Sequence, residues 1–190
     1  MSKYVVRTML GLLLVGAAMF ATLGEAETSG TGSSAGDKPA ESSQPASTQQ
    51  NPIPLGTDVE VAKGWNLKVN SANLDGNALA AEANMFNTPA PGTQYILVNV
   101  TITNNSGEPA SPLFEMKLSA LPPSGVAADP AFVAELPGQL DTTAQMQPGA
   151  AMTGVIPFEV PTAEVIGTVL LGQSQFTLDE NKDQKFFALQ

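Results

Sequence analysis

The residues of this chain best suited to chemistry are carboxylates. Asp179-Glu180-Asn181-Lys182-Asp183 has a D-x-N-x-D pattern, and alternating oxygen ligands suit a hard cation such as calcium. A calcium loop of this kind also needs glycine at its sixth position and a bidentate glutamate at its twelfth. Gln184 and Gln190 stand there instead. The expected reading is a solvated turn between two late strands, with Asp179, Asn181 and Asp183 as the residues to test for cation binding. Glu115 and Glu159 form a second pair of interest. A glycosidase needs two carboxylates flanking the scissile bond, so the pair qualifies only if their strands are neighbours. Otherwise they are charges on an outer sheet face.

The chain has no His and no Cys. Ser-His-Asp and Cys-His nucleophile systems, thiol redox chemistry, His/Cys zinc sites and the usual haem and iron–sulfur ligation are therefore excluded. No Gly-rich phosphate loop, G-x-S-x-G elbow or S-x-x-K motif occurs. No catalytic, cofactor-binding or metal-binding residue is assigned, and no cofactor is expected.

Eight Lys and Arg stand against 18 Asp and Glu, a formal net charge of −10 over 190 residues. Lys63, Lys68, Lys117, Lys182 and Lys185 are scattered, and no Arg follows Arg7. Nucleic-acid binding needs clustered cations to replace phosphate counterions, so that class is excluded. Attraction to an anionic lipid surface is disfavoured for the same reason.

Lys3 and Arg7 precede an apolar run of 15 residues, from Met9 to Leu23. A spanning helix needs roughly 20. The pattern is that of a signal peptide, residues 1–26, with Gly24 and Ala26 at the −3 and −1 positions of the cleavage site. An uncleaved anchor is the alternative, and only then would the chain touch a membrane. No Cys follows the run, so attachment through a lipobox thioether is impossible. The expected location is secreted or extracytoplasmic, with cell-surface association open. Asn99-Val100-Thr101 and Asn104-Asn105-Ser106 are formal glycosylation sequons.

Residues 27–54 contain 16 Ser, Thr, Gly and Pro among 28, with Ile53 the single large aliphatic. Such a segment buries too little apolar surface to offset its ordering entropy, and it is expected to be a disordered linker. The remainder, 55–190, is one domain of ordinary size.

That domain reads as short strands. Ile96, Val98, Val100 and Ile102 alternate with Leu97, Asn99, Thr101 and Thr103, the period of a half-buried strand. The same alternation marks Val59/Val61, Trp65/Leu67/Val69, Phe114/Met116/Leu118 and Met152/Gly154/Ile156/Phe158/Val160. Segments 165–171 and 185–189 are weaker strand candidates. Pro157 implies an edge strand or a bulge. A turn or two of helix is expected over 79–86, and Asp129-Pro130 has the form of a helix start running to Leu136. Together these predict an all-β, antiparallel immunoglobulin-like β-sandwich, with Trp65 and the domain's Phe residues between the sheets. Two surfaces are candidates for recognition: the outward row Asn99, Thr101, Thr103, and the long loop between Ala120 and Gln147. Phe132, Val133 and Leu136 of that loop are expected to plug one end of the sandwich.

Gln94-Tyr-Ile-Leu-Val-Asn-Val-Thr-Ile-Thr-Asn-Asn-Ser-Gly107 resembles the first hallmark strand of a bacterial exported Ig-like domain of unknown function. That family has the telokin-like, immunoprotective-extracellular-protein fold. Gln147-Pro-Gly-Ala-Ala-Met-Thr-Gly-Val-Ile-Pro-Phe-Glu-Val-Pro161 resembles its second hallmark, and Leu55-Gly56 its start. The resemblance implies an extracytoplasmic Ig-like module and supplies no catalytic residues. Many members of that family are lipoproteins, and this chain departs from them in lacking the lipobox Cys. Three functional readings follow: a non-enzymatic module binding a protein or cell-envelope partner; a hydrolase using carboxylates alone; and a secreted, antigen-like structural protein with no dedicated ligand.

Overall fold

The computed structural model describes residues 47–176 and 183–190. Seven strands form two antiparallel sheets. β1 (Asp58–Ala62), β2 (Trp65–Asn73), β3 (Thr93–Asn104) and β5 (Ala151–Pro161) make the first sheet, in the order β1-β2-β3-β5. β4 (Met116–Leu121), β6 (Val169–Ser174) and β7 (Lys185–Phe187) make the second, in the order β4-β6-β7. Two short helices, α1 (Asn77–Ala83) and α2 (Pro112–Glu115), and a 3₁₀ turn (Thr162–Glu164) complete the described elements. The expected β-sandwich is observed.

The period-two reading fails at Phe114, and the helix-start reading fails at Asp129-Pro130. The alternation starts a strand at Phe114, in phase with Met116 and Leu118. Pro112, with its preset φ, instead starts the single turn α2; Phe114 is exposed, and the strand begins at Met116. Asp129-Pro130 starts no helix: Pro130 pairs with Phe158 at the edge of β5, and the Asp129 carboxylate accepts from Ser119 Oγ at 3.1 Å and lies 3.4 Å from Lys117 Nζ. A side chain committed to β4 leaves nothing to cap a first helical turn.

Trp65, Leu67, Val69, Ile96, Val98, Val100, Ile102, Phe158 and Val160 point into the space between the sheets and are buried. Of the domain's Phe residues only Phe158 and Phe187 are fully buried there. Phe86, Phe114, Phe132 and Phe176 are exposed, so the expectation that the phenylalanines fill the core is corrected. The aliphatic rows of β2 and β3 already occupy that volume.

One edge of each sheet is covered by irregular chain. Ile53 N–H donates to Phe186 O at 2.7 Å, and Ala188 N–H donates to Ile53 O at 2.8 Å, so residues 47–54 lie as a strap on β7. Part of the expected linker is thus bonded to the domain, anchored by its one large aliphatic; 1–46 lies outside the described residues. The other edge, β5, is covered by the loop 120–147. Ala131 N–H reaches Pro157 O, Leu140 N–H reaches Val155 O, and Val155 N–H reaches Gly138 O. Pro157 therefore sits on an edge strand of the first sheet, as its missing N–H requires.

Gly154 allows this close approach. A Cβ there would lie 2.9 Å from both Gly138 O and Leu140 Cα. Gly154→Ala is expected to cost about 1–3 kcal/mol, the usual cost of overpacking, and to raise amide hydrogen exchange at Leu140 and Val155. Unchanged exchange there would mean that the loop is not seated on the strand.

Ser124 hydrogen bonds hold the Glu164 carboxyl below the usual carboxylate range. A depressed folded-state pKa contributes stability that is present above the unfolded value and lost as pH falls through the folded value. Acidification below the ordinary carboxylate range should therefore loosen the turn at residues 122–125. Relative to intrinsic exchange, Glu164→Gln should show the same low amide protection at every pH, and protection in the wild type that does not fall on acidification would disprove the link.

Candidate functional surface

The outer face of the first sheet carries the polar row expected from the sequence, with a partner row beside it. Asn70 Nδ2 donates to Asn99 Oδ1 at 2.8 Å and to Thr101 Oγ1 at 3.0 Å. Thr101 Oγ1 lies 2.8 Å from Thr153 Oγ1. The ladder thus crosses β2, β3 and β5. A β-bulge between Val69 and Ser71 makes it possible, because the extra residue leaves Asn70 between Asn99 and Thr101. Asn99, Thr101 and Thr103 are half-buried. At the β1 side, Asn66 donates to Asp58, a cross-strand pair that extends the polar face to the sheet edge.

Toward the other end of β3 this face is roofed. Tyr95 and Leu97 pack with Ala80 of α1 and with Val133 and Leu136. Asn87 fastens the roof: its Nδ2 donates to Ala80 O and Ala134 O, both at 2.8 Å, and its Oδ1 accepts from Ala134 N–H at 2.8 Å. Val133 and Leu136 therefore cover a sheet face rather than plugging an end of the sandwich, and Phe132 is 85% exposed. Strand alternation by itself counts Leu97 in the outward row; α1 and the loop bury it. Asn87→Ala should leave the sandwich folded while speeding amide exchange across 131–137, and equal protection in the variant would show that another contact holds the roof.

Between α1 and Leu136-Pro137 a cleft of about 670 Å³ opens, with Leu97, Val155 and Leu79 as apolar lining and Ser71, Asn73, Asn99 and Glu82 as polar lining. Asn99 belongs to both the ladder and the cleft. Met85 and Phe86, which follow α1, are 78% and 84% exposed. The polar row is visible in the sequence as the outward half of the alternation. The cleft is not, because its walls come from three segments distant in the chain.

The carboxylates do not assemble. Glu115 ends α2 beside the second sheet, whereas Glu159 lies on β5 of the first. Glu159 accepts from Ala90 N–H at 2.7 Å and Thr93 Oγ1 at 2.5 Å, which is a loop-fastening role. Burial pushes the Tyr95 phenol up, and the Glu159 carboxylate adds to the shift. Among the described residues no group of three acidic side chains is placed to hold a metal; Asp179 and Asn181 of the D-x-N-x-D segment lie outside them. Both sequons are used internally: Asn99 is in the ladder, and Asn104 is fully buried with its amide donating to Glu108 O and Met146 O.

The chain is similar in structure to several bacterial proteins. The yjhA protein from Bacillus subtilis shares 16% identity at a TM-score of 0.49, over 73% of this chain and 99% of that one. The secreted protein MPT63 from Mycobacterium tuberculosis shares 16% at 0.45, over 68% and 93%. An uncharacterized β-sandwich protein from Clostridium difficile 630 shares 12% at 0.44, over 77% and 100%. No curated protein matches the sequence. A family model matches residues 55–184, and on that match the chain belongs to the DUF4352 family, a domain of unknown function.

Proposed function

We propose that this protein is an exported, non-enzymatic Ig-like module that binds a protein or cell-envelope partner through the outer face of its four-stranded sheet. The observation that carries this reading is the bonded ladder Asn70–Asn99–Thr101–Thr153 running into the cleft beside α1. Its side chains are already oriented, so binding orders few new rotamers. The exposed Met85, Phe86 and Phe132 lie on the segments flanking the cleft, and exposed apolar side chains beside a polar surface are typical of contact sites. The absence of His and Cys and the separation of Glu115 from Glu159 weigh against a hydrolase. The N-terminal apolar run supports export.

The test places a photo-cross-linking residue at position 101 or at Lys63, an exposed turn position, and exposes each protein to cell-envelope and medium fractions. Discrete adducts are expected from position 101 and not from 63. Asn99→Arg should lower capture at least about tenfold, as loss of a central contact does, without lowering stability by more than about 1 kcal/mol. Equal adducts from both positions would remove this face from consideration.

A further inference from the structure

The cleft between α1 and Leu136-Pro137 has a one-sided charge. Its apolar lining comes from Leu97 and Val155 of the sheet, Leu79 of α1 and Leu136 of the loop. Glu82 is the single charged residue in the lining, and its carboxylate has no hydrogen-bond or ion-pair partner among the described residues. The Ser71 hydroxyl, also without a partner among them, is a second acceptor. A further acid stands beside the cleft: Glu135, next in the chain to Leu136, accepts from Asn84 Nδ2 at 3.1 Å. No Lys or Arg lines the cleft. The base on the outer face of β2, Lys68, is opposite Asp58 in the register of β1 and β2.

The loop wall is held before any ligand arrives. Glu135 is the single non-glycine residue with positive φ among the described residues, at 56°. Such a backbone persists only where its surroundings over-determine it. Here the Asn84 bond fixes the Glu135 side chain, and Asn87 ties Ala80 O to Ala134 O. Leu136 is thereby packed with Leu97 and Ala80.

We infer that this cleft takes a cationic side chain on an aliphatic stem, the chemistry of lysine, from the partner of the proposed binding face; the inference rests on that reading of the face. The stem covers Leu97, Val155 and Leu136 while its charged head stays close to water, and the ammonium meets Glu82. A lone carboxylate suits a compact ammonium, whereas a guanidinium presents a fork that needs paired acceptors. An apolar or anionic guest would desolvate or repel Glu82 with nothing in return. The chain's net charge of −10 also draws a basic partner from a distance.

The experiment titrates Nα-acetyl-lysine N-methylamide into the ¹⁵N-labelled protein. Saturable amide shifts are expected at Glu82, Ala83, Leu97, Asn99 and Val155. The norleucine analogue, with a similar stem and no ammonium, should bind about fivefold more weakly, the effect of an ion pair at a partly exposed site. Glu82→Gln, at an exposed position of α1, should cost the lysine probe the same factor and leave the norleucine probe unchanged, so that the two bind equally. The glutamate analogue should give no shifts in the cleft. Absence of saturable shifts, equal binding of the lysine and norleucine probes to the wild type, lysine binding indifferent to Glu82→Gln, or shifts centred on Glu115 and Asp129 would each overturn the inference. Cross-linking from position 101 keeps the two readings apart. Discrete adducts without lysine binding would overturn the cleft's chemistry alone. Saturable lysine binding without adducts would support that chemistry and overturn the face as the partner's site.

Discussion

Trp65→Ala should destabilise the sandwich by about 3–5 kcal/mol, the range for removing a large aromatic from a core. Trp65 opens β2, pairs with Ala62 on one side and Asn104 on the other, and is fully buried. It is also the only tryptophan, so no second indole can fill the space. Against a total stability of about 5–15 kcal/mol, the loss leaves a domain that is partly unfolded on warming. Urea unfolding followed by far-UV dichroism measures it. The indole N–H has no hydrogen-bond partner among the described residues, which makes the companion variant informative. Trp65→Phe opens a smaller cavity and also removes a buried donor, so the two effects oppose. It should cost no more than about 1 kcal/mol. If the two variants lose similar stability, the N–H is bonded and the core differs from the one described.

Asn104→Ala should cost about 2–4 kcal/mol, a large effect for a turn residue, because several buried hydrogen bonds go at once. Its Nδ2 donates to Glu108 O at 2.8 Å and Met146 O at 3.0 Å, while its Oδ1 accepts from Ser106 N–H at 2.9 Å and Ser106 Oγ at 2.7 Å. It thus ties the end of β3 to the turn that follows and to the chain leading into β5. Asn104→Asp should be worse than alanine at neutral pH, since a buried carboxylate would face two carbonyl oxygens. Such a group has a raised folded-state pKa, so the variant should recover stability as pH falls through that value. A loss below about 0.5 kcal/mol for alanine would show that the turn holds without this side chain.

Both sites are partly legible in the residue pattern. Trp65 stands in phase with Leu67 and Val69, which places it on the core face of its strand. Asn104 has the pattern of an ordinary turn residue, because turn composition marks where a chain reverses and not which side chain is swallowed by it. Gly64, just before Trp65, explains part of this: it has φ +74°, and a Cβ on it would lie 2.5 Å from Ser106 Cα. The two turns are pressed together there, and Asn104 is buried beneath them.

Sequence alone determined the strand periodicity, the inward and outward faces of β1, β2, β3 and β5, the edge position implied by Pro157, and the exclusion of His- and Cys-based chemistry. All of these depend on residue type and on near neighbours along the chain. Tertiary structure decided the rest: that Asn70 closes the ladder through a bulge, that Asn87 clamps the loop over Leu97, and that the strap at Ile53 lies on β7. Each of those depends on segments tens of residues apart meeting in space. Local patterning sets which way a side chain points, but only packing sets what it meets.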